Sequence, residues 1–264
     1  MKEADFIWMD GNLVDWEDAK VHALTHALHY GTGVFEGIRA YEGEDGPEVF
    51  RLDEHMDRFM DSAKITKIDM EYSKEDLIKA IDEVIIENNL DSCYIRPLAF
   101  RGYKDMNLSP LENPVRVMIA AWPWGSYLGE ESLTKGVDVQ VSSWTRHHPN
   151  VMPTKAKGTG NYLNSVMGKI EAVENGYKES IMLTPEGYVS EGTGENLFIV
   201  REEEIYTTPT SKVLEGITRD SIIKIAEDLG YEINMEELTR DQLYRADEAF
   251  FAGTAAEITP ISTI

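Results

Sequence analysis

Apolar residues switch between helical and strand spacing along the chain, and the switches mark out its elements. Phe6-Ile7-Trp8-Met9 and Leu13-Val14 flank Asp10-Gly11. That dipeptide supplies the positive φ angles of a tight type I′ turn, so the pattern predicts a hairpin. A second hairpin is expected from Gly37–Tyr41 and Val49–Leu52, around Gly43 and Gly46-Pro47. Asp53–Thr66 and Ser73–Asn89 read as amphipathic helices. The second opens on Ser73-Lys74-Glu75-Asp76, a near capping box, and repeats Leu77, Ile81, Val84 and Ile85 at helical spacing. Strands follow at Cys93–Phe100, Val115–Trp122 and Val137–Trp144. Then come a helix over Asn161–Gly176, strands at Ser180–Thr184 and Leu197–Val200, and a helix over Ile217–Leu229 stopped by Gly230.

This order predicts a mixed α/β (α+β) protein in two halves. The loop Arg146–Met152, aperiodic and followed by Pro153, is the expected boundary between residues 1–145 and 153–264. A chain of 264 residues is long enough to bury a substantial core. Its single cysteine, Cys93, rules out an internal disulfide and suits a reducing, cytoplasmic compartment. No cationic segment leads into a long apolar run at the start, and no apolar stretch reaches membrane-spanning length. The formal net charge of −23 disfavours nucleic acid and anionic membranes as partners. Any anion site must therefore be built locally, against the overall field.

Two segments carry the candidate chemistry: Pro153-Thr-Lys-Ala-Lys157-Gly-Thr-Gly-Asn-Tyr162 and Ser190-Glu191-Gly-Thr-Gly-Glu195-Asn-Leu-Phe198. A lysine among small residues, followed by a Gly-rich acidic turn, is what a pyridoxal phosphate site needs. The lysine bonds the aldehyde, and a carboxylate keeps the pyridine nitrogen protonated. Spacing alone does not choose between Lys155 and Lys157, since residues two apart in an extended segment share a face. Gly158-Thr-Gly160 and Gly192-Thr-Gly194 lack the third glycine of a dinucleotide fingerprint, which falls on Leu163 and Leu197. His22, His26 and His29 fall at i, i+4 and i+7, but lack a His-Glu-x-x-His pattern or nearby cysteine. Structural roles are expected for them, and no metal site.

Further blocks join these two: Tyr30-Gly-Thr-Gly-Val-Phe-Glu-Gly-Ile-Arg-Ala-Tyr41, Tyr94-Ile-Arg-Pro97, Glu215-Gly-Ile-Thr-Arg-Asp220 and Gly253-Thr-Ala-Ala-Glu-Ile-Thr-Pro260. Together they make the chain resemble the branched-chain amino acid aminotransferases, of the fold-type-IV pyridoxal phosphate enzymes, from about Ile7 to Pro260. The resemblance implies two mixed α/β domains with the active site between them, and a homodimer or higher homo-oligomer. It implies transfer of the amino group of L-leucine, L-isoleucine or L-valine to 2-oxoglutarate, giving glutamate, by ping-pong turnover. It selects Lys157 as the cofactor-bearing lysine and general base, and Glu191 as the partner of the pyridine nitrogen.

Other roles follow from the same resemblance. Arg58, Gly216, Ile217, Thr218 and Thr254 are expected at the phosphate, Tyr162 at the ring oxygen, and Glu195 and Asn196 beside the cofactor. Phe35, Met106, Leu108, Trp124 and Tyr127 would form an apolar wall. Tyr94 with the amides of Thr254 and Ala255 would take the α-carboxylate, with Gly37, Gly194 and Ala256 also lining the substrate. Arg96, with Tyr30 of a partner subunit, would take a distal carboxylate, with Arg39 at the same polar edge. The rivals sharing this fold are D-amino acid transaminase and aminodeoxychorismate lyase; a non-enzymatic pyridoxal phosphate-binding protein is a third. Phe35-Glu-Gly-Ile-Arg39 and the arginine in Tyr94-Ile-Arg96 favour the branched-chain enzymes. The family pattern continues past Pro260 into another strand and a helix, so a shortened C-terminal domain is expected, the chain ending at Ile264.

Overall fold

In the computed structural model, which describes residues 2–125, 127–129 and 131–264, the contacts divide the chain into two compact units. One comprises Met1–Trp124 with Ala156–Asn161, the other Gly125–Lys155 with Tyr162–Ile264.

The first unit is built on a sheet of β1 (Phe6–Met9), β2 (Asn12–Asp15), β3 (Gly33–Phe35), β4 (Ile38–Gly43), β5 (Gly46–Val49), β6 (Cys93–Arg101) and β7 (Val115–Trp122). Strand order is β2-β1-β7-β6-β4-β5, with β3 on β6, and every pairing is antiparallel. Asp10 and Gly11 take φ of 49° and 92°, the left-handed turn that joins β1 to β2. A short helix α1 (His26–Tyr30) precedes β3. Arg51 has φ of 50°, and Leu52, expected to end a strand, instead opens helix α2 (Leu52–Ile65). Helix α3 (Lys74–Glu87) starts with the capping box read from Ser73 and Asp76, satisfying two amides that have no partner inside the helix. Met56 and Phe59 from α2 and Leu77, Ile81 and Val84 from α3 are fully buried in one cluster with Ile38, Ile95 and Ile119. Each such side chain contributes about 1.5–3 kcal/mol.

The second unit holds β8 (Val137–Thr145), β9 (Glu179–Leu183), β10 (Val189–Gly192), β11 (Asn196–Arg201), β12 (Glu204–Thr207), β13 (Ile233–Met235), β14 (Glu248–Gly253) and β15 (Glu257–Thr263). They form one sheet in the order β10-β9-β8-β15-β14-β11-β12-β13. Its helices are α4 (Ser132–Lys135), α5 (Tyr162–Glu174), α6 (Ile217–Asp228) and α7 (Arg240–Tyr244). Phe251 and Leu197 are fully buried on adjacent strands, paired in register. Gly176 and Gly230 take φ of 87° and 85°, closing α5 and α6 as their sequence positions predict.

The boundary at Arg146–Met152 does not coincide with this division. β8 pairs in parallel with both β9 and β15, so Val137–Thr145 belongs to the second unit. Ala156–Asn161 belongs to the first because Gly158 bridges Val34 and the Gly160 amide donates to the Gly31 carbonyl at 3.1 Å. Gly31, at φ of 64°, permits this approach: a Cβ there would lie 2.7 Å from Gly160 Cα.

Candidate active site

Lys157 is held by its backbone. Its amide donates to Ser62 Oγ on α2 at 3.0 Å, and its carbonyl accepts from the Phe35 amide at 3.0 Å. Its Nζ lies 5.3 Å from the Phe35 ring centroid, so the side chain runs along β3. Lys155 points into a different environment. Its Nζ is bonded to the Thr210 carbonyl and is 2.8 Å from Glu215 Oε1, within the second unit. The two lysines that spacing could not separate are thus separated by partners.

Between β3 and β4, Glu36 is fully buried. Its Oε1 accepts from Arg58 Nε at 2.7 Å, while Oε2 accepts from Arg58 Nη2 at 2.8 Å and His55 Nδ1 at 2.9 Å. Burial alone would raise the Glu36 carboxyl. The Arg58 charge, the hydrogen bonds from His55 and Arg58, and the Lys157 charge reverse that and hold it well below the usual carboxylate range. Burial lowers His55 against the pull of Glu36, and its Nε2 is buried without a hydrogen-bond partner among the described residues.

On the same sheet, Arg96 lies over Phe35 at 4.7 Å, and its Nη2 donates to Tyr94 Oη at 3.3 Å. The Arg96 Nε is buried without a partner among the described residues. Tyr94 packs edge-on against Trp124 at 4.6 Å, and Arg39 Nη1 donates to the Trp124 carbonyl at 3.3 Å. A Cβ at Gly37 would fall 2.8 Å from Tyr94 Cζ and closer still to its oxygen, so the glycine makes room for the phenol. Phe35, Gly37, Arg39, Tyr94, Arg96 and Trp124 therefore come together, with the Arg96 guanidinium on an aromatic floor and Arg39 bonded to the Trp124 backbone. No contact joins Tyr30, Met106 or Leu108 to this group among those described. Tyr30 Oη donates to the Met106 carbonyl at 3.3 Å, and Leu108 is 80% exposed.

In the second unit Glu191, the penultimate residue of β10, is nearly buried. Its Oε1 is 2.8 Å from Arg146 Nη2, and its Oε2 accepts from Asn196 Nδ2 and the Leu214 amide, both at 3.3 Å. Arg146 also donates to Ser165 Oγ at 2.9 Å and Asn164 Oδ1 at 3.3 Å, both on α5. Asn196 donates onward to the Leu214 carbonyl at 3.0 Å, next to Gly216, the residue that caps α6. The first amides of that helix, at Ile217 and Thr218, have the orientation and dipole that favour anions. Thr254, Ala255 and Ala256 form the turn from β14 to β15, and Tyr162 heads α5.

Glu195 is buried beside this site and accepts from the exposed Gly194 amide at 3.0 Å. Burial, with the charge of the fully buried Glu179, pushes its carboxyl up to about 8. Glu179 itself is paired with Lys169 at 2.7 Å, and Lys169 lies 5.3 Å from the Tyr127 ring. Tyr127, expected in the apolar wall, lies in the second unit with its ring under the Lys169 amine.

Sequence reasoning did not single out the residues that hold these candidates. Arg146 lies in the loop that marks the expected boundary, Glu36 inside the block Tyr30–Tyr41, and His55 in the expected helix Asp53–Thr66. An acidic residue between an aromatic and a glycine was the available signal for Glu36. The histidines find protein partners: His26 with Thr32 Oγ1 at 2.8 Å and the Asn107 carbonyl at 2.9 Å, His29 with the Ala23 carbonyl, and His22 stacked on Tyr103. Only His26 and His29 share a helix. Among the described residues no group of three metal-ligating side chains forms, and no helix is long and apolar enough to cross a membrane.

Comparison with known proteins shows the family of the chain. Residues 33–264 match the family described as amino-transferase class IV. The branched-chain-amino-acid aminotransferase of Salmonella typhimurium is 53% identical over 265 residues, covering 100% of this chain and 86% of that protein. A crystal structure of the T.th. branched-chain amino acid aminotransferase with pyridoxamine 5′-phosphate is 55% identical, with a TM-score of 0.96 over 100% of this chain and 87% of that one. The same enzyme complexed with N-(5′-phosphopyridoxyl)-L-glutamate is 53% identical, with a TM-score of 0.95 over 100% of this chain and 87% of that one.

Proposed function

The chain belongs to the class IV aminotransferases, and from that membership we propose that it moves the amino group of L-leucine, L-isoleucine or L-valine to 2-oxoglutarate with pyridoxal phosphate as cofactor. The observation that carries this reading is the Arg96 guanidinium laid against Phe35 and Tyr94, beside Trp124. A transaminase must accept an apolar side chain and an acidic one in turn. An aromatic floor with a cation and an unsatisfied buried N–H at its edge suits both.

The residues present fit the cofactor. Lys157 is fixed by two backbone hydrogen bonds with its amine beside an aromatic face. Glu191 offers a carboxylate held by three partners, and α6 offers the amides of a helix start after Gly216. Bound, pyridoxal phosphate supplies the electron sink for the charge left when the substrate Cα proton departs. In this proposal Lys157 Nζ would hold the cofactor and, once the incoming substrate amine has displaced it, the freed amine would serve as the general base at Cα. Glu191 holds the proton of the pyridine nitrogen, and Tyr162 Oη donates to the ring oxygen. Arg58, Thr254 and the amides of Ile217 and Thr218 hold the phosphate. Tyr94 and the amides of Thr254 and Ala255 take the α-carboxylate, and Arg96 takes the distal carboxylate of glutamate.

The proposal extends to a cytoplasmic homo-oligomer, at least a dimer. Cys93 is buried, and burial pushes its thiol up to about 11, which leaves it a poor nucleophile. The test is an assay of purified protein pairing both enantiomers of each branched-chain amino acid with 2-oxoglutarate. Glutamate formed from the L-enantiomers supports the reading; turnover of D-amino acids alone would replace it with a D-amino acid transaminase.

A further inference from the structure

A carboxylate taken fully out of water is costly unless charged partners satisfy it in good geometry. Glu36 is such a carboxylate, and its charged and side-chain hydrogen-bond partners on α2 are Arg58 and His55, three residues apart on one helix face, with the Gly37 amide at 3.3 Å and the Lys157 charge adding to them. Its backbone is fixed as well, the amide donating to the Pro97 carbonyl at 2.9 Å. We infer that Glu36 is a positioning residue for the cofactor phosphate, acting by holding the Arg58 guanidinium in one orientation before the phosphate arrives.

The geometry carries this in three steps. The Arg58–Glu36 contact is bidentate, using Nε and Nη2. A guanidinium is planar, so fixing two of its nitrogens fixes the direction of the third, Nη1. His55 Nδ1 holds the carboxylate, so the carboxylate cannot swing with the arginine. An arginine side chain otherwise brings rotamer entropy that binding would have to overcome. Ordering the side chain in advance moves that cost from the binding step to folding.

This inference rests on the reading that Arg58 binds the phosphate, and the experiment separates the two. Apoprotein is titrated with pyridoxal phosphate and with pyridoxal, which lacks the phosphate, for the parent and for Arg58→Met, Glu36→Gln and Glu36→Asp. Glu36→Asp keeps the buried charge but is one methylene too short to reach both nitrogens, and so serves if the Gln variant does not fold. Loss of a charge-assisted contact predicts pyridoxal phosphate affinity lowered roughly ten- to a hundredfold in Glu36→Gln and Glu36→Asp, with pyridoxal affinity within about twofold of the parent. Equal weakening of both ligands would make Glu36 a fold staple, and unchanged pyridoxal phosphate affinity would dismiss it; either result overturns the inference. If Arg58→Met itself shows no phosphate-selective loss, the role of Arg58 fails, and that is read independently of Glu36.

Discussion

Arg146 places Nη2 2.8 Å from Glu191 Oε1, and both side chains are largely buried. Arg146 is in turn anchored on α5 through Ser165 and Asn164. The carboxylate proposed for the pyridine nitrogen is therefore oriented by a cation on one oxygen and by amide N–H groups on the other.

Removing either member of this pair should act through the other. Glu191→Gln is expected to lower turnover at least roughly a hundredfold, the order for losing a catalytic electrostatic partner. Arg146→Met should cost roughly ten- to a hundredfold, with Arg146→Lys intermediate because it keeps charge without the planar fork. In the Glu191→Gln background Arg146→Met should add little. Steady-state kinetics of the parent, the two single variants and the double variant measures the coupling; fully additive losses would mean the two residues act separately.

The local elements of both units are legible in the sequence because near neighbours decide them. Asp10-Gly11 sets a turn by its own φ angles, and Ser73 caps α3 three residues away. Long-range pairing is not legible in that way. Nothing in Val137–Thr145 indicates that its neighbours are β9 and β15, the latter at the far end of the chain. The site follows the same rule. Lys157 and Glu191 stand in short blocks that the chemistry marks, whereas Arg146 and Glu36 matter only through partners 45 and 22 residues away, the separations of Arg146–Glu191 and Glu36–Arg58. An aromatic residue such as Tyr127 carries no mark in the sequence of its neighbour Lys169, 42 residues away.

Stability should depend on pH with opposite signs at the two ends of the range. Folded Glu36 lies below its ordinary value of 4.5, so its contribution is complete above that pH and is lost as pH falls below it. Folded Glu195 lies at about 8, above its ordinary 4.5, so it retains a proton that the unfolded chain releases. Its contribution is complete below pH 4.5 and is lost as pH rises through 8, with a slope of up to ~1.4 kcal/mol per pH unit. Thermal unfolding of the parent and Glu195→Gln between pH 5 and about 9 should show the Gln variant with the flatter profile; parallel profiles would show that Glu195 is ionised in the fold.

Arg96 should discriminate between the two substrates. An apolar side chain cannot use a guanidinium, whereas a distal carboxylate accepts paired hydrogen bonds from it. Arg96→Leu is expected to weaken the half-reactions with glutamate and 2-oxoglutarate roughly ten- to a hundredfold, and the half-reaction with leucine much less. Single-turnover measurement of the separate half-reactions reads the difference. Equal losses would place Arg96 at the α-carboxylate or in the fold alone.

The claim on which the rest depends is that Lys157 bonds the cofactor. The alternative is two residues away: Lys155, which is paired with Glu215 at 2.8 Å, while Lys157 lies beside Phe35. Borohydride reduction of the protein with pyridoxal phosphate bound, followed by peptide mapping, fixes the label where the bond was. The account predicts a single pyridoxyl group on Lys157; a label on Lys155, or no stable label at all, would contradict it.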